Sequence, residues 1–254
     1  MTDISACMIT FNNVRTVEKA LQSVAPWASE IIVVDSLSTD DTPGIVKKYT
    51  KNFEQRPWPG HSDQYNYCIS KAKNEWVIFI DADEEIPPEL ATEIQERIEK
   101  DQGSYDGYIV HRRTFYLGKW IMHGGWVPDY EIRLFKKSRG AFVGGLHANA
   151  RVKGRVGELE NFYSHYNYKD IADQIETMNK YSKIAATDML KKGKRFSWTD
   201  LIFRPPFRFI KEYIVKRGFM DGMPGFVIAI STVYYVFTKY AKLWELEKGI
   251  KGKE

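Results

Sequence analysis

Two aspartates, Asp81 and Asp83, stand directly after an apolar segment in the stretch IFIDADEE at 78–85. The apolar segment is predicted to be a buried strand, and open α/β sheets bind their ligands at the carboxyl ends of strands. One carboxylate of such a pair can orient a ribose hydroxyl while the other binds a divalent cation, because Mg²⁺ and Mn²⁺ prefer oxygen ligands. The alternative is a solvated acidic turn before a helix, which Glu84 and Glu85 favour.

A third acid, Asp35, ends the apolar segment EIIVVD and precedes the polar loop SLSTDDT. Two parallel strands that each end in an acid would place their carboxylates on one rim of a sheet, where Asp35 could hold a base edge or a ribose. Its alternative role is to cap the next helix, which Ser38 or Asp40 could equally do. The glycine motifs of dinucleotide-binding Rossmann sites and of P-loops do not follow the first strand, which disfavours both kinds of site.

The elements that must position these acids are predicted from the apolar spacing. Buried strands alternate with amphipathic helices in the first hundred residues, which is typical of a parallel α/β sheet. The strands are expected at 4–10, 30–35 and 76–81, and the helices at 14–24, 43–49 and 87–101. After residue 103 this alternation stops. Strand-like segments at 108–113 and 132–136 lie in a loop-rich stretch, and the chain turns helical from about residue 169.

Several stretches together resemble glycosyltransferase family 2: ISACMITFNN, IIVVDSLSTDDT and QYNYCISKAKNEWVIFIDADEEI. The stretches GGWVPDYEIRLFKK at 124–137 and EYIVKRGFMDGMPG at 212–225 narrow the resemblance to the bacterial branch that adds sugars to lipopolysaccharide core or related envelope glycans. The resemblance covers most of the chain, and the combination of motifs is specific although each motif alone is not. It implies an α/β fold of the GT-A type, with a Rossmann-like nucleotide-sugar-binding sheet, and an inverting, metal-assisted sugar transfer.

The resemblance also implies roles for individual residues. Thr10, Asn12 and Asp35 match positions that hold the nucleotide of a nucleotide-sugar donor, which we expect to be a UDP-sugar. Asp81 and Asp83 match the paired aspartates of the family, and Asp83 is expected to bind the metal, Mn²⁺ or Mg²⁺.

One segment, HSDQYNYCIS, departs from the branch, whose members often carry Lys or Arg for a phosphate contact where this chain has Tyr65. The residues on either side, Gln64 and Asn66, are expected to contact the donor. His147, after two glycines in GGLHANA, could complete the metal shell or contact a phosphate, or it could be an ordinary loop histidine. We expect His165, in YSHYNY, to be structural.

Asp129, in the glycine- and aromatic-rich stretch GGWVPDYEIRLF, is the candidate general base. Displacement at an anomeric carbon requires the acceptor hydroxyl to lose its proton, and a carboxylate within hydrogen-bond reach can take it. The resemblance implies the same role. Glu131 is the rival, and alternatively one of the two acids only pairs with Arg133. Trp120 and Trp126 could stack on an acceptor sugar or belong to the core.

The last third of the chain combines basic and aromatic residues. Segment 204–219 carries five basic residues against one Glu, interleaved with Phe, Tyr and Ile, which suits an anionic membrane surface. Segment 222–238 has no charged residue and is at the short edge of a spanning helix. We expect it to be interfacial or packed on protein, with a membrane span or an ordinary packed helix as alternatives.

We therefore expect a catalytic domain at 1–165 and a helical, membrane-associating region at 166–254. The N-terminal residues show no signal-peptide pattern, so the expected location is peripheral, at the cytoplasmic face of the inner membrane. A net charge of +4 is too weak to indicate a nucleic-acid partner. Cys7 and Cys68 form no CxxC pair, which disfavours a zinc site or a disulfide framework.

The predicted function is transfer of a sugar from a nucleotide-diphosphate sugar to a lipid-linked or lipopolysaccharide-type glycan. Two alternatives remain. One is a catalytically inactive, membrane-associated protein of the same fold. The other is a metal-dependent nucleotidyltransferase, which would be expected to carry a glycine-rich basic phosphate loop after the first strand, where this chain has TFNN.

Overall fold

The computed structural model describes residues 2–101, 103–145 and 148–250. Its chain divides into two compact units, the first Met1–Arg113 with Asp129–Tyr166 and the second Thr114–Pro128 with Asn167–Glu254. The strands are β1 (Ile4–Thr10), β2 (Glu30–Asp35), β3 (Asn52–Gln55), β4 (Trp76–Phe79), β5 (Glu84–Glu85), β6 (Gly107–Tyr116), β7 (Lys119–Trp120), β8 (Tyr130–Lys136), β9 (Gly140–Val143), β10 (Asn149–Val152) and β11 (Val156–His165). The α-helices are α1 (Val17–Val24), α2 (Thr42–Val46), α3 (His61–Ser70), α4 (Pro88–Asp101), α5 (Ile171–Lys191), α6 (Trp198–Phe209) and α7 (Gly222–Lys248).

The first unit is built on a mixed sheet with the strand order β3-β2-β1-β4-β8-β6-β11-β5. The strands β1 to β4 are parallel neighbours, as the alternation of strands and helices predicts. Beyond β4 the sheet turns antiparallel, since β8 pairs antiparallel with both β4 and β6. The loss of strand–helix alternation after residue 103 therefore marks a real change of architecture.

Apolar side chains on the two faces of this sheet form two separate cores. On one face, alternate residues of β1 (Ile4, Ala6 and Met8) pack with the buried sides of α1 and α4. On the other face, Cys7 of β1 and Cys68 of α3 belong to the second core. Both cysteines are fully buried free thiols.

Several predicted element ends differ from the structure by a few residues, and three of the differences have a local reason. Helix α1 begins at Val17 instead of 14, because its first turn starts from the carbonyl of Asn13. Helix α2 ends at Val46 instead of 49, since the next amides make tighter bonds to carbonyls three residues back. Strand β4 ends at Phe79, and the amide of Glu84 donates to the carbonyl of Asp81 in a turn.

The second unit is mostly helical, which the apolar spacing after residue 169 predicts. Helix α7 continues ten residues past the uncharged run, to Lys248. Between α6 and α7 the chain forms a π-helical turn at Ile210–Val215 and a 3₁₀ turn at Gly218–Asp221. A buried glutamine of α5, Gln174, accepts hydrogen bonds from Tyr116 and Ser231, which fixes α5 and α7 within this unit.

The predicted domain boundary at 165/166 differs from this division in one segment. The segment Thr114–Pro128 groups with the helical unit instead of the unit that contains the sheet. Tyr116 and Ile121 of this segment are buried in a core with Ile228 of α7, and Trp126 packs against it. Apolar contacts between residues that are far apart in the chain decide this grouping. A boundary drawn from the sequence alone could not take such contacts into account.

Candidate active site

The parallel strands bring the predicted donor residues to one edge of the first unit. In the register of the sheet, Thr10 pairs with Asp35, and Cys7 pairs with Phe79. Asp81 follows Phe79 by two residues, so its strand ends at the same edge as β1 and β2. This is the edge where open α/β sheets bind ligands.

Asp35 is fully buried at this edge and holds the surrounding loops. Its Oδ1 atom accepts hydrogen bonds from the hydroxyls of Thr10 (2.7 Å) and Ser38 (2.5 Å). Its Oδ2 atom accepts from the Ser38 amide and from Nε2 of Gln55, both at 2.8 Å. A carboxylate has about four acceptor positions, so these four donors occupy it. In this conformation Asp35 shapes the pocket edge, and direct contact with a nucleotide stays a prediction.

The loops after β1 and β2 are tied to each other through Asn12. The Asn12 amide donates to the Ser38 hydroxyl (2.8 Å), and its side-chain oxygen accepts from the Thr39 amide (2.8 Å). Asn12 adopts a left-handed backbone conformation with φ of 55°, which asparagine tolerates better than most residues. Asn12 is exposed at the loop tip, where a donor could reach it.

Three consecutive residues of α3, Gln64, Tyr65 and Asn66, make different kinds of contact. Gln64 is fully buried and donates to the Ser36 hydroxyl (3.1 Å), while its carbonyl oxygen has no partner among the described residues. Asn66 exchanges two hydrogen bonds of 2.8 Å with the backbone of Phe142. The Tyr65 ring packs between the rings of Phe79 and Phe142, at 4.5 and 4.6 Å. Tyr65 therefore fills the core, and the side-chain amide of Asn66 is already engaged.

Arg133, on β8, connects three acids. Its Nη2 atom lies 2.9 Å from Oδ2 of Asp81, 2.9 Å from Oε1 of Glu84 and 3.0 Å from Oε2 of Glu131. Arg133 and Glu84 are both almost fully buried. Burial, opposed by Arg133 and reinforced by the charge of Asp81, raises the pKa of Glu84 to about 7. Glu131 is therefore the acid that pairs with Arg133, one of the alternatives that the sequence left open.

Asp83 pairs with His165, whose Nε2 atom lies 3.5 Å from Oδ2 of the aspartate. Burial opposes ionisation of Asp83, but the hydrogen bond and charge of His165 outweigh it and lower the pKa. Burial likewise opposes protonation of His165, yet Asp83 and then Glu84 raise its pKa overall. The histidine predicted to be structural thus orients a predicted metal ligand.

Asp129, the predicted base, is held by Arg112 of β6. The Nε and Nη2 atoms of Arg112 lie 2.7 and 2.6 Å from Oδ2 of Asp129. The same guanidinium lies 3.6 Å from Glu84 and 3.9 Å from Glu131. The two arginines therefore join Asp81 to Asp129 through the buried Glu84.

The donor set at this edge is suited to a divalent cation completed by a ligand. Mg²⁺ in particular usually binds through one or two carboxylates together with substrate phosphates and waters. Asp81 and Asp83 supply such a pair, and carboxylates outnumber arginines in the network around them. Among the residues that the structure describes, no cluster of three or more acidic, His or Cys side chains could hold a metal alone. His147, the other predicted metal ligand, lies outside the described residues.

The two tryptophans of the predicted acceptor stretch make aromatic contacts within the second unit. Trp126 packs against Tyr116 and Tyr168, with ring centroids 5.3 and 5.8 Å apart. Trp120 meets Phe115 edge-on at 5.2 Å. Trp126 also packs against the core of Tyr116, Ile121 and Ile228, which favours the core alternative for this residue, whereas the role of Trp120 stays open.

Sequence reasoning missed Arg112 and the buried role of Glu84. The sequence did signal the other arginine of the site, Arg133. It interrupts the apolar strand YEIRLFK, where a charged residue requires a buried partner. The partner of Arg112 was not visible, because it depends on the antiparallel pairing of β6 with β8 and on its irregular register after Tyr108.

Comparison with known proteins gives one family. The model for Glycosyl transferase family 2 matches residues 5–152, which is more than half of the chain. A glycosyltransferase of Rickettsia typhi is 31% identical over 97% of this chain and 88% of the relative. The lipopolysaccharide core biosynthesis glycosyltransferase LpsC of Rhizobium meliloti is 28% identical over 95% of this chain and 92% of that protein.

A solved structure supports the fold. The S. aureus TarS structure in complex with UDP-GlcNAc superposes with a TM-score of 0.50 and 15% identity, over 99% of this chain and 93% of that one. At this identity the likeness shows a shared fold of the GT-A type and nothing finer.

Proposed function

Because the chain belongs to glycosyl transferase family 2, we propose that it moves a sugar, with inversion, from a UDP-sugar to a lipid-linked or lipopolysaccharide-type glycan. One observation carries the proposal. Asp81, the first of the paired aspartates, and Asp129 belong to one ion-pair network, which runs from Asp81 through Arg133, Glu84 and Arg112 to Asp129. A donor-binding carboxylate and a candidate base are thereby held close together.

The donor is proposed to lie along the edge formed by Thr10, Asn12 and Asp35. Asp35 organises this edge, and the exposed Asn12 loop offers groups to a base or ribose. Gln64, whose Oε1 atom has no partner among the described residues, is a further proposed contact of the donor, which a shift of this buried side chain would have to expose. The TarS structure holds UDP-GlcNAc, a nucleotide sugar of the proposed kind.

Mn²⁺ or Mg²⁺ is the proposed cofactor, held by Asp83, with Asp81 beside it and His147 as a further ligand. When bound, the cation would offset the negative charge that builds on the departing diphosphate. The contact with His165 fixes the orientation of the Asp83 carboxylate, as hydrogen-bonded partners of metal ligands commonly do.

Asp129 is proposed to take the proton of the acceptor hydroxyl as that oxygen attacks the anomeric carbon. Arg112 binds its Oδ2 atom, and the described residues leave the other oxygen available to the hydroxyl. Glu131 is a weaker candidate, because one of its oxygens contacts Arg133 and the other lies near Arg112.

The acceptor and the location are proposed from the helical unit and from the name of LpsC. Among the described residues, one helical segment, Gly218–Lys248, is long and apolar enough to cross a membrane, and only 28% of its most apolar window is buried. On the preceding segment, exposed Phe203, Phe207, Ile210 and Ile214 recur at helical spacing beside basic residues. This pattern suits a helix lying on an anionic surface, at the cytoplasmic face of the inner membrane.

A thermal-shift screen of nucleotide sugars with Mn²⁺, followed by donor hydrolysis with and without the metal, tests the proposal. We expect one UDP-sugar to raise Tm more than UDP does, and metal-dependent release of UDP. Stabilisation by nucleoside triphosphates with release of diphosphate would instead indicate a nucleotidyltransferase. Binding of a nucleotide sugar with no turnover, even with glycolipid extracts as acceptor, would indicate an inactive protein.

A further inference from the structure

The second unit contains a cavity of about 270 Å³ between α6, the π-helical turn and α7. Four basic side chains line it: Arg204 and Arg208 from α6, Lys211 from the π-helical turn and Lys239 from α7. The cavity lies outside the candidate active site, whose charged residues all belong to the first unit.

Positive charge exceeds negative charge around this cavity. Arg204 pairs with Asp200 (2.6 Å), which also pairs with Lys194 (2.9 Å). The buried Glu212 forms an ion pair with Arg208, with a distance of 2.7 Å between Oε1 and Nε. Within the described part of the chain, Lys211 and Lys239 make no ion pair, and Asp200, which acts on Lys239 from beyond ion-pair distance, is already shared by Arg204 and Lys194.

The excess of positive charge around the cavity acts most directly on Lys239. Its ammonium lies over the rings of Tyr240 and Tyr235, at 5.1 and 5.5 Å from their centroids, and is partly buried. Burial, and then the like charges of Arg204 and Arg208, lower the pKa of Lys239. A bound anion would relieve the repulsion and supply acceptors for the unused donors of the ammonium.

We propose that this cavity binds the phosphate group of a membrane lipid. Four basic side chains around one space are the chemistry that recognises phosphate. The cavity volume lies below the roughly 300–1,000 Å³ of sites for drug-sized ligands, so a headgroup fits where a complete nucleotide sugar would not.

The surroundings of the cavity point to a lipid as the source of the phosphate. Phe207 lines the cavity and is nevertheless 66% exposed. Phe203, one helical turn before it, is also 66% exposed, and Ile210 continues the apolar row. A phosphate in the cavity would therefore lie beside side chains suited to acyl chains. The inference deepens the membrane association proposed above and rests on it.

Vesicle binding tests the inference. The full-length protein is mixed with phosphatidylcholine vesicles that contain either phosphatidic acid or oleic acid, adjusted to the same surface potential. We expect the protein to bind the phosphatidic acid vesicles roughly tenfold more tightly, because oleic acid supplies charge without phosphate oxygens. The variant Lys211→Gln with Lys239→Gln should lose that preference.

A matched control separates phosphate recognition from general attraction. The variant Lys191→Gln with Arg195→Gln removes the same charge from exposed residues that do not line the cavity. It should keep the tenfold preference while binding both vesicles more weakly. Equal loss of preference in the two variants, or equal binding of both vesicles by the unaltered protein, would overturn the cavity site. Thermal shifts with UDP verify that each variant is folded.

Two further outcomes of these measurements concern the source of the phosphate. Binding of neither anionic vesicle would refute the membrane association itself, and with it this inference. If inorganic phosphate raises Tm through Lys211 and Lys239 but the vesicles show no phosphate preference, the ligand is a free anion and the lipid assignment is wrong.

Discussion

The Nε and Nη2 atoms of Arg112 lie 2.7 and 2.6 Å from the same oxygen, Oδ2, of Asp129. Both hydrogen bonds are charge-assisted, and together they fix the direction of the carboxylate. Oδ1 is left for a second partner. This arrangement separates the two acids of the stretch, because Glu131 instead has a contact to an arginine from each of its oxygens.

Asp129→Asn should reduce sugar transfer by roughly 10² or more, the usual contribution of a general base. The amide keeps the shape but cannot accept a proton at neutral pH. Affinity for the donor should change little, because the donor residues lie on other strands. The same measurements on Glu131→Gln should show a much smaller loss. An inactive Glu131→Gln with an active Asp129→Asn would move the base by two residues, and activity in both would place it elsewhere.

Asp83→Ala should abolish the Mn²⁺-dependent part of donor binding, because it removes the proposed metal ligand. Titration of UDP with and without Mn²⁺, followed by calorimetry, measures that part directly. Glu96→Ala, an exposed acid on α4, is the control and should behave like the unaltered protein. Unchanged metal dependence in Asp83→Ala would remove this residue from the site.

Arg133→Met should destabilise the protein by about 3–5 kcal/mol, because it leaves buried Glu84 without its closest counter-charge. Chemical denaturation at neutral pH measures the loss. Adding Glu84→Gln should recover part of it, since a neutral amide does not require a cation. If the two losses simply add, Arg133 and Glu84 are not coupled.

Lys239→Met should raise Tm at neutral pH in low-salt buffer without phosphate. Because the pKa of Lys239 is lowered on folding, the folded state binds this proton less tightly than the unfolded state. The stability that Lys239 contributes is therefore present above the ordinary pKa of lysine and lost as pH falls through the lowered value. The gain in Tm should fade as pH rises toward that ordinary pKa. Lys191→Met, at an exposed position, should show no such pH dependence.

Attachment to anionic vesicles should weaken as salt is added, because exposed charges attract less under screening. Flotation of the full chain with neutral and anionic vesicles over a salt series measures this. Equal, negligible binding to both kinds of vesicle would instead support a helix packed on protein.

The sequence was sufficient to predict the structural features that depend on residues close together along the chain. The strands that end at Asp35 and near Asp81 follow from short apolar runs, and the parallel half of the sheet follows from their alternation with helices. The partners of these acids could not be predicted, because they come from distant segments. Asp35 is saturated by Thr10, Ser38 and Gln55, and Asn66 of α3 is bonded to the backbone of β9.

The π-helical turn limits which residues can occupy positions 125 and 212 together. A Cβ atom placed on Gly125 would lie 1.4 Å from Oε2 of Glu212, the buried acid of that turn. Any side chain at 125 therefore requires the Glu212 carboxylate to move from this position, which would disturb its ion pair with Arg208. The two positions should consequently vary as a pair among related chains. A related chain with alanine at 125 is expected to carry a smaller residue at 212.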